Sequence, residues 1–448
     1  MKQLLGKLHG DKAVWAAVVL LALFSFLPVF SASSNLAYMR HGSGNPLTYL
    51  LKHAGHMLLG FFIIYRTHKV PYHYFRGINK LIFLPVSWLM LLFTYFFGVE
   101  SGSATRWIKI PFVGITFQPS SFAFIALMIY VSGYLAKKDV DTHNFKKSFL
   151  QLWVPVGITV GLILPNNFST SALIFLMVLM LVVIGKYSSK YILYVLGIGF
   201  VLGLMYYGTA KAYEKINPEH IPAVFKRVTT WENRIKSYGS TNVDEDDIYQ
   251  IERAKTAIAT GGIYGLGFGK SVQKNFLPQS SSDFIFAIIV EETGLVGALA
   301  IISIYLFLLF RFVVDSHKAK SYFGKLLIIA LGFPIIFQAF INMGVAVELL
   351  PTTGQTLPLI SSGGSSIWMT CVAVGIILSV TKKEDEIAQE LDEKQKREEA
   401  LQRIIDRELQ ADDDEQWDEN QDKINQMKAS IKNKIEEEDN PMQAVKGK

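Results

Sequence analysis

Ten apolar runs, each about the roughly 20 residues that cross a bilayer core as a helix, divide this chain. They lie near residues 13–32, 47–65, 81–99, 119–136, 149–165, 169–186, 190–209, 283–310, 324–343 and 364–381. In lipid every backbone N–H and C=O must find its partner within the protein, so such runs are expected to be helices. The sequence therefore predicts an all-α polytopic membrane protein of about ten transmembrane helices. Composition agrees, with 50% hydrophobic and only 18% charged residues. The first run, from about Ala13 to Ala32, has no cleavage context and reads as a retained helix.

The formal charge of +6 does not point to nucleic acid, because the basic residues fall in short connections between apolar runs. Lys2, Lys7 and Lys12 precede the first run, and Arg66, Lys69, Arg76 and Lys80 fill the second connection. Lys137, Lys138, Lys146 and Lys147 fill the fourth, and Arg311, Lys318, Lys320 and Lys325 the eighth. Of the opposite connections, the first holds Arg40 alone and the stretch between Asn342 and Ser362 holds no Lys or Arg. Ten spans with both termini cytoplasmic satisfy this bias. Cys371, the lone cysteine, lies inside an apolar run, which leaves no disulfide framework or cysteine zinc site.

Two regions lie outside the expected membrane domain of residues 1–382. The first is a large extracytoplasmic loop of about 209–282, a length that is usually functional. The second, 383–448, is dense in Glu, Asp, Lys and Gln and reads as a solvated, partly disordered cytoplasmic tail. No internal repeat of the kind seen in transporters is evident.

Asp283 ends the large loop and leads directly into an apolar run, where a carboxylate is costly without a partner or a role. Glu291 lies eight residues on, roughly 12 Å and 80° away along a straight helix, which argues against an acid–base pair on one helix. Glu291 and Glu292 instead read as caps of a helix break before Gly294 or as partners of a basic residue. Gly261 to Ser271 is glycine-rich but fits neither a phosphate loop nor a dinucleotide fingerprint; the simpler reading is a turn that brings backbone close to a neighbour. His53 and His56, one turn apart without an accompanying acid or thiol, read as interhelical hydrogen-bonding residues. Arg106, Trp107 and Lys109 sit in an outer connection. Trp107 suits a membrane interface anchor, while cations on that side suit an anion.

Three segments carry a resemblance. Arg106-Trp107-Ile108 is followed by Phe117-Gln118-Pro119-Ser120. Gly265-Leu266-Gly267 runs through Ser271 to Lys274, then to Phe276-Leu277-Pro278 and Asp283-Phe284. Leu349 to Gly354 is followed by Leu357 to Ser366, with Ser361-Ser362-Gly363-Gly364 at its centre. Over residues of about 10 to 382 the chain resembles the SEDS family of cell-wall polymerases, and Ser271 to Lys274 looks most like its cell-division member.

The resemblance implies a peptidoglycan glycosyltransferase. It would join lipid II into β-1,4 glycan strands at the outer face of the bacterial cytoplasmic membrane, at the division septum. The implied partners are a class B penicillin-binding protein and other divisome proteins. The family's essential Asp maps onto Asp283, as catalytic base or as ligand of a divalent cation such as Mg2+. Arg106 and Trp107 map onto its Arg-Trp pair. Lys109, Lys270, Lys274, Ser282, Pro351, Thr353, Gly354, Ser361, Gly363 and Gly364 are the further expected substrate-binding residues. Four departures stand out: Ser121 replaces a usual Glu, Phe124 a frequent Lys, Gln279 a Glu, and Asn167 an Asp. A lipid II transporter, an elongation-type polymerase and a scaffold for the transpeptidase remain as alternatives.

Overall fold

The structure, a computed structural model, describes residues 9–41, 46–101, 104–109, 116–137, 145–216, 225, 228, 232, 245–277, 279–411 and 423–432. Two compact units are present, 1–385 and 386–448. In the second, residues 386–411 and 423–432 are helical.

The first unit is a helical bundle. Its described helices are α1 (Lys12–His41), α2 (Pro46–Thr67), α3 (Tyr72–Phe97), α4 (Pro119–Leu135), α5 (145–163), α6 (Phe168–Ile184), α7 (Ser189–Ile216), α8 (Glu245–Gly261), α9 (Ile285–Lys318), α10 (Tyr322–Ala346) and, of α11 (Gly364–Ala411), the part 364–385. Seven meet both the length and the hydropathy of a membrane span: α1, α2, α3, α7, α9, α10 and the Gly364–Thr381 part of α11. The shorter apolar helices α4, α5 and α6 match the other three expected runs.

Boundaries follow local chemistry. Pro119 occupies the first turn of α4, where no intrahelical N–H is needed. Asn167 caps α6 by accepting the Thr170 N–H at 3.1 Å, and Ser321 caps α10 through the Gly324 N–H at 2.9 Å. The third span begins at Tyr72 and not near Leu81, because a π-helical turn at Asn79–Phe83 continues the helix through its polar start. Asn79 turns inward there and donates to the Ala126 carbonyl at 2.9 Å.

Contacts at the two ends of the bundle fix the alternation of the spans. At one end the start of α1 meets the ends of α9 and the last span, through Asp11–Arg311 and Asp11–Thr381. Tyr72 at the start of α3 bonds Ser321 before α10 at 2.8 Å. Burial, then the neighbouring Lys80, Arg76 and Lys147, push the Lys137 ammonium below its ordinary pKa, so the basic connections gather at this end. At the other end the close of α10 meets the turn before α9. Ten spans, odd ones running one way and even ones the other, account for all of these contacts.

Two outer segments differ from the sequence expectation. The connection after α3 is not a plain loop but a small antiparallel sheet of β1 (Val99–Ser101), β2 (Ala104–Lys109) and β3 (Thr116–Phe117), in the order β1-β2-β3. Within the large loop, α7 continues to Ile216 and α8 forms a further helix. Helix α8 begins within the acidic stretch Asp244-Glu245-Asp246-Asp247 of the loop, of which Asp244 lies outside the described residues.

Helix α9 is broken. Gly294 adopts φ 69°, ψ −165°, outside the helical region. The interrupted backbone bonds to the glycine-rich turn: Leu266 and Gly267 N–H donate to the Glu291 and Glu292 carbonyls at 2.9 Å, and Leu295 N–H to Gly262 at 2.9 Å. A Cβ at Gly265 would come 2.2 Å from the Glu292 carbonyl oxygen, which only glycine avoids. The glycine-rich motif is thus the backbone approach that the sequence suggested.

Candidate active site

Asp283 lies in a turn just before α9. Gln279, at φ 60°, offers its carbonyl to the N–H groups of Ser282 and Asp283 at 3.0 and 3.2 Å. Three successive carbonyls of the turn are then held by neighbouring segments. Ser362 donates to Ser281 from N–H and Oγ at 2.9 and 2.8 Å. Ser361 Oγ donates to Ser282 at 2.6 Å, and Asn342 Nδ2 to Asp283 at 2.7 Å. With the backbone satisfied this way, the Asp283 carboxylate is left to face Gly354. A Cβ at Gly354, whose φ is 65°, would lie 3.4 Å from Asp283 Oδ2. Burial raises the Asp283 pKa above the ordinary 3.8, while a hydrogen bond from Ser282 and the charge of Arg106 pull against it.

Gly354 also borders a cleft between α4, α6, α10 and α11, with about 780 Å3 of atom-free space including its mouth. Phe124, Ile125, Met128, Leu173, Leu331 and Ile335 make much of its wall apolar. Gln118, Ser121, Thr170, Gln338, Gln355 and Thr356 supply hydroxyls and amides. Among the described residues that line it, none is charged. Ser121 and Phe124, where the resemblance implied a Glu and a Lys, are both in this wall, so neither position brings a charge to the cleft.

Arg106 is placed from the other side. On β2 its Nε donates to the Asn166 carbonyl at 2.8 Å, and Thr105 Oγ1 approaches Asn166 Oδ1 at 3.4 Å. The Asn166-Asn167 turn leads into α6, where Thr170 Oγ1 accepts from Gln355 Nε2 at 2.9 Å. Asn342 Nδ2 then bonds the Gln355 carbonyl at 2.7 Å as well as Asp283. A chain of hydrogen bonds through Asn166, Asn167, Thr170, Gln355 and Asn342 therefore links the Arg106 strand to the Asp283 turn. Asn167 keeps the capping role that an Asp would have there.

The other expected residues divide. Ser282 Oγ bonds Gln279 Oε1 at 2.8 Å, so Gln279 steadies the turn without a charge. Ser361 also accepts the Leu357 N–H at 2.7 Å. Gly364 packs on His56, whose ring would meet a Cβ at 2.7 Å, and Gly363 lies beside Ser366 and Thr356. Thr353 is half-buried and Pro351 exposed on the strap that carries Gly354. Trp107 is half-buried opposite Val99, and Lys109 and Lys270 are exposed. Lys274 is committed elsewhere, donating to the Gly269 carbonyl at 2.7 Å and to Ser31 Oγ at 3.2 Å.

Among the described residues, the Glu291 and Glu292 carboxylates neither cap the break nor close an ion pair with a basic side chain. Glu291 accepts from Ser271 Oγ and from the N–H groups of Val272 and Gln273 at 3.0 and 3.2 Å, which caps the short 3-10 turn Gln273–Asn275. Glu292 accepts from Ser31 Oγ and the Ser271 N–H. Among the described residues, no group of three His, Cys, Asp or Glu side chains is placed to hold a metal ion. His53 bonds Ser25 of α1 at 2.8 Å, an interhelical hydrogen bond as expected.

A family model described as "Cell cycle protein", covering FtsW, RodA and SpoVE, matches residues 11–386. The chain belongs to this family. A "Probable peptidoglycan glycosyltransferase FtsW" of Geobacter sp. strain M18 is 30% identical over 378 residues, 83% of this chain and 97% of that protein. A protein of the same description from Hydrogenovibrio crunogenus is 32% identical over 82% of this chain and 90% of its own length. A chain from a structure of a peptidoglycan synthase complex, described as coordinating polymerization and crosslinking, superposes with a TM-score of 0.63 at 20% identity. It covers 84% of this chain and 98% of that one, and at this identity it speaks to the fold. Membership in the FtsW, RodA and SpoVE family thus extends over the whole membrane domain, including the cleft and both of its departures.

Asn342, Gln355, Thr170 and Gln338 were not picked out by motif. The signal was present, since Gln338 and Asn342 are uncharged polar side chains one turn apart inside an otherwise apolar span.

Proposed function

We propose that this protein is a peptidoglycan glycosyltransferase that polymerises lipid II at the outer face of the cytoplasmic membrane. The observation that carries the reading is Asp283. Its carboxylate stands beside Gly354 on the rim of a cleft whose described lining is uncharged, part apolar and part hydroxyl and amide, its pKa raised by burial and opposed by the charge of Arg106.

The chemistry follows from the substrate class. An α-linked pyrophosphate donor and a β-linked product require one inverting displacement by a sugar hydroxyl. Asp283 takes the proton from the attacking hydroxyl as general base; a raised pKa brings it nearer to the operating pH, where proton transfer is most effective. Arg106 stabilises the departing pyrophosphate, for which a guanidinium is well shaped. The apolar wall suits the lipid chain, and the hydroxyls and amides suit the sugars. A single carboxylate beside a pyrophosphate is also enough to help seat Mg2+, which takes one or two protein carboxylates plus phosphate oxygens; Asp283 is the residue that would hold it, and the ion would neutralise the leaving group. Septal action and a class B penicillin-binding protein as partner are what the resemblance to the family's cell-division member implies; a partner that crosslinks agrees with the neighbour described as coordinating polymerization and crosslinking.

The test is polymerisation of lipid II by purified protein in detergent, with Asp283→Asn beside wild type. Glycan strands from the wild type and none from the variant support the assignment; equal strands from both would overturn it. The broken helix α9 also suits a transporter, but a transporter yields no strands where no sidedness exists.

A further inference from the structure

The large loop holds a segment whose chemistry is not that of a chain facing water. No residue between Lys255 and Lys270 is charged. Ile263, Tyr264 and Phe268 are 61%, 84% and 53% exposed, and Leu266 is exposed beside them. Apolar side chains gathered on one turn form a patch that marks a contact with something other than water. The threonines that lead into the turn make no demand on water either. Thr256 Oγ1 donates to the Glu252 carbonyl at 2.8 Å and Thr260 Oγ1 to the Thr256 carbonyl at 2.7 Å, each within α8.

Backbone hydrogen bonds set the height of this turn. The Gly262 and Ile263 carbonyls accept from Leu295 and Val296 N–H at 2.9 and 3.2 Å. Those two residues open the lower part of α9, and with Leu299 they are exposed on a helix long and apolar enough to span a membrane. Val296 precedes Arg311 by about 22 Å of helix at 1.5 Å per residue. The hydrocarbon core is about 30 Å thick, so with Arg311 at its inner edge Val296 stands inside it, short of the outer edge. The turn shares that height, and its patch continues the exposed apolar face of α9.

Non-helical backbone at such a depth is tolerated only where its N–H and C=O groups are paired within the protein. Gly265 N–H returns to the Gly261 carbonyl at 2.8 Å, and Leu266 and Gly267 N–H go to carbonyls that the break in α9 frees. The break and the turn thus satisfy each other without water. We propose that Gly261 to Gly269 is a re-entrant turn immersed in the acyl chains of the outer leaflet. Lys270, exposed, returns the chain to the headgroup layer, where a long stem can lie along apolar surface while its ammonium stays wet. The partner of this surface is lipid, whatever reaction the bundle catalyses.

The full-length protein in vesicles of phosphatidylethanolamine and phosphatidylglycerol tests this. Single cysteines carrying a nitroxide, at Tyr264→Cys, Phe268→Cys, Leu299→Cys and Glu252→Cys, are placed in a Cys371→Ser background. Collision with oxygen, which partitions into lipid, is compared with collision with a water-soluble nickel chelate. Labels at 264 and 268 should meet oxygen several-fold more often than nickel, as the Leu299→Cys label does on α9, while the Glu252→Cys label shows the reverse. Should a bulky label disturb the turn, the unlabelled Tyr264→Cys and Phe268→Cys thiols should react with a charged, water-soluble maleimide several-fold more slowly than the Glu252→Cys thiol. Nickel contact or maleimide reaction at 264 and 268 equal to that at 252 puts the turn in water and overturns the proposal. Low contact with both quenchers there shows a protein surface, a second copy of this chain, and overturns it as well.

Discussion

Asp283 and the Glu291–Glu292 pair lie within ten residues of each other, yet the fold treats them in opposite ways. Glu291 is fully buried and saturated, with a hydroxyl and two backbone N–H groups on its carboxylate. Asp283 has its backbone carbonyl held while its carboxylate borders the cleft. A carboxylate surrounded by donors stabilises a loop; one held by its backbone, with only the Ser282 hydroxyl beside its oxygens at a cavity, is available for chemistry. Burial alone does not separate the two roles, whereas the distribution of donors does.

The largest effect that would break this contrast is on turnover. Asp283→Asn should lower lipid II polymerisation by at least about 100-fold, the low end of the contribution of a general base, with little change in thermal unfolding. Glu291→Ala should do the reverse. Loss of a buried, charge-assisted hydrogen-bond hub should destabilise the protein by about 3 kcal/mol, read as a lowered unfolding temperature, while activity per folded molecule stays near wild type. A Glu291 variant that folds normally but is inactive would reverse the assignment of the two sites.

Two smaller effects sharpen it. Arg106 opposes the burial that raises the Asp283 pKa, so Arg106→Gln leaves burial less opposed and the pKa rises further. A base is lost as pH falls through its pKa, so the acid limb of the pH–rate profile should move to higher pH in this variant, with turnover down about tenfold. An acid limb that stays in place would separate Arg106 from Asp283. Gly354→Ala places a methyl against Asp283 Oδ2 on a positive-φ backbone and should cost about 1 kcal/mol in stability, with a several-fold loss of rate.

The membrane fold was largely legible in the sequence because hydropathy is a local signal that needs no tertiary information. The third span began early because Arg76 and Lys80 interrupt its apolar run, while the helix continues through them by a π turn. The β1–β3 sheet escaped because its strands are two to six residues long and carry too few side chains to show a period. At the site, motif spacing located the Asp283 turn and the Ser361–Gly364 strap. It could not show that Lys274 turns to Ser31, nor that Gln355 and Asn342 join segments far apart in sequence. Those outcomes depend on which helices become neighbours, and no single segment records that.

The break at Gly294 has a mechanical consequence. The part of α9 below it, Leu295 to Lys318, ends in the charged stretch Arg311 to Lys318 at the cytoplasmic surface, so this lower rod can lean as the bilayer thickness changes. In an unbroken rod any such lean would be amplified at the top, where the reacting groups are. Here the short upper segment is laced to the glycine-rich turn and rides with it. Membranes of different thickness can therefore lean the lower rod while the carboxylate keeps its register with the rim of the cleft.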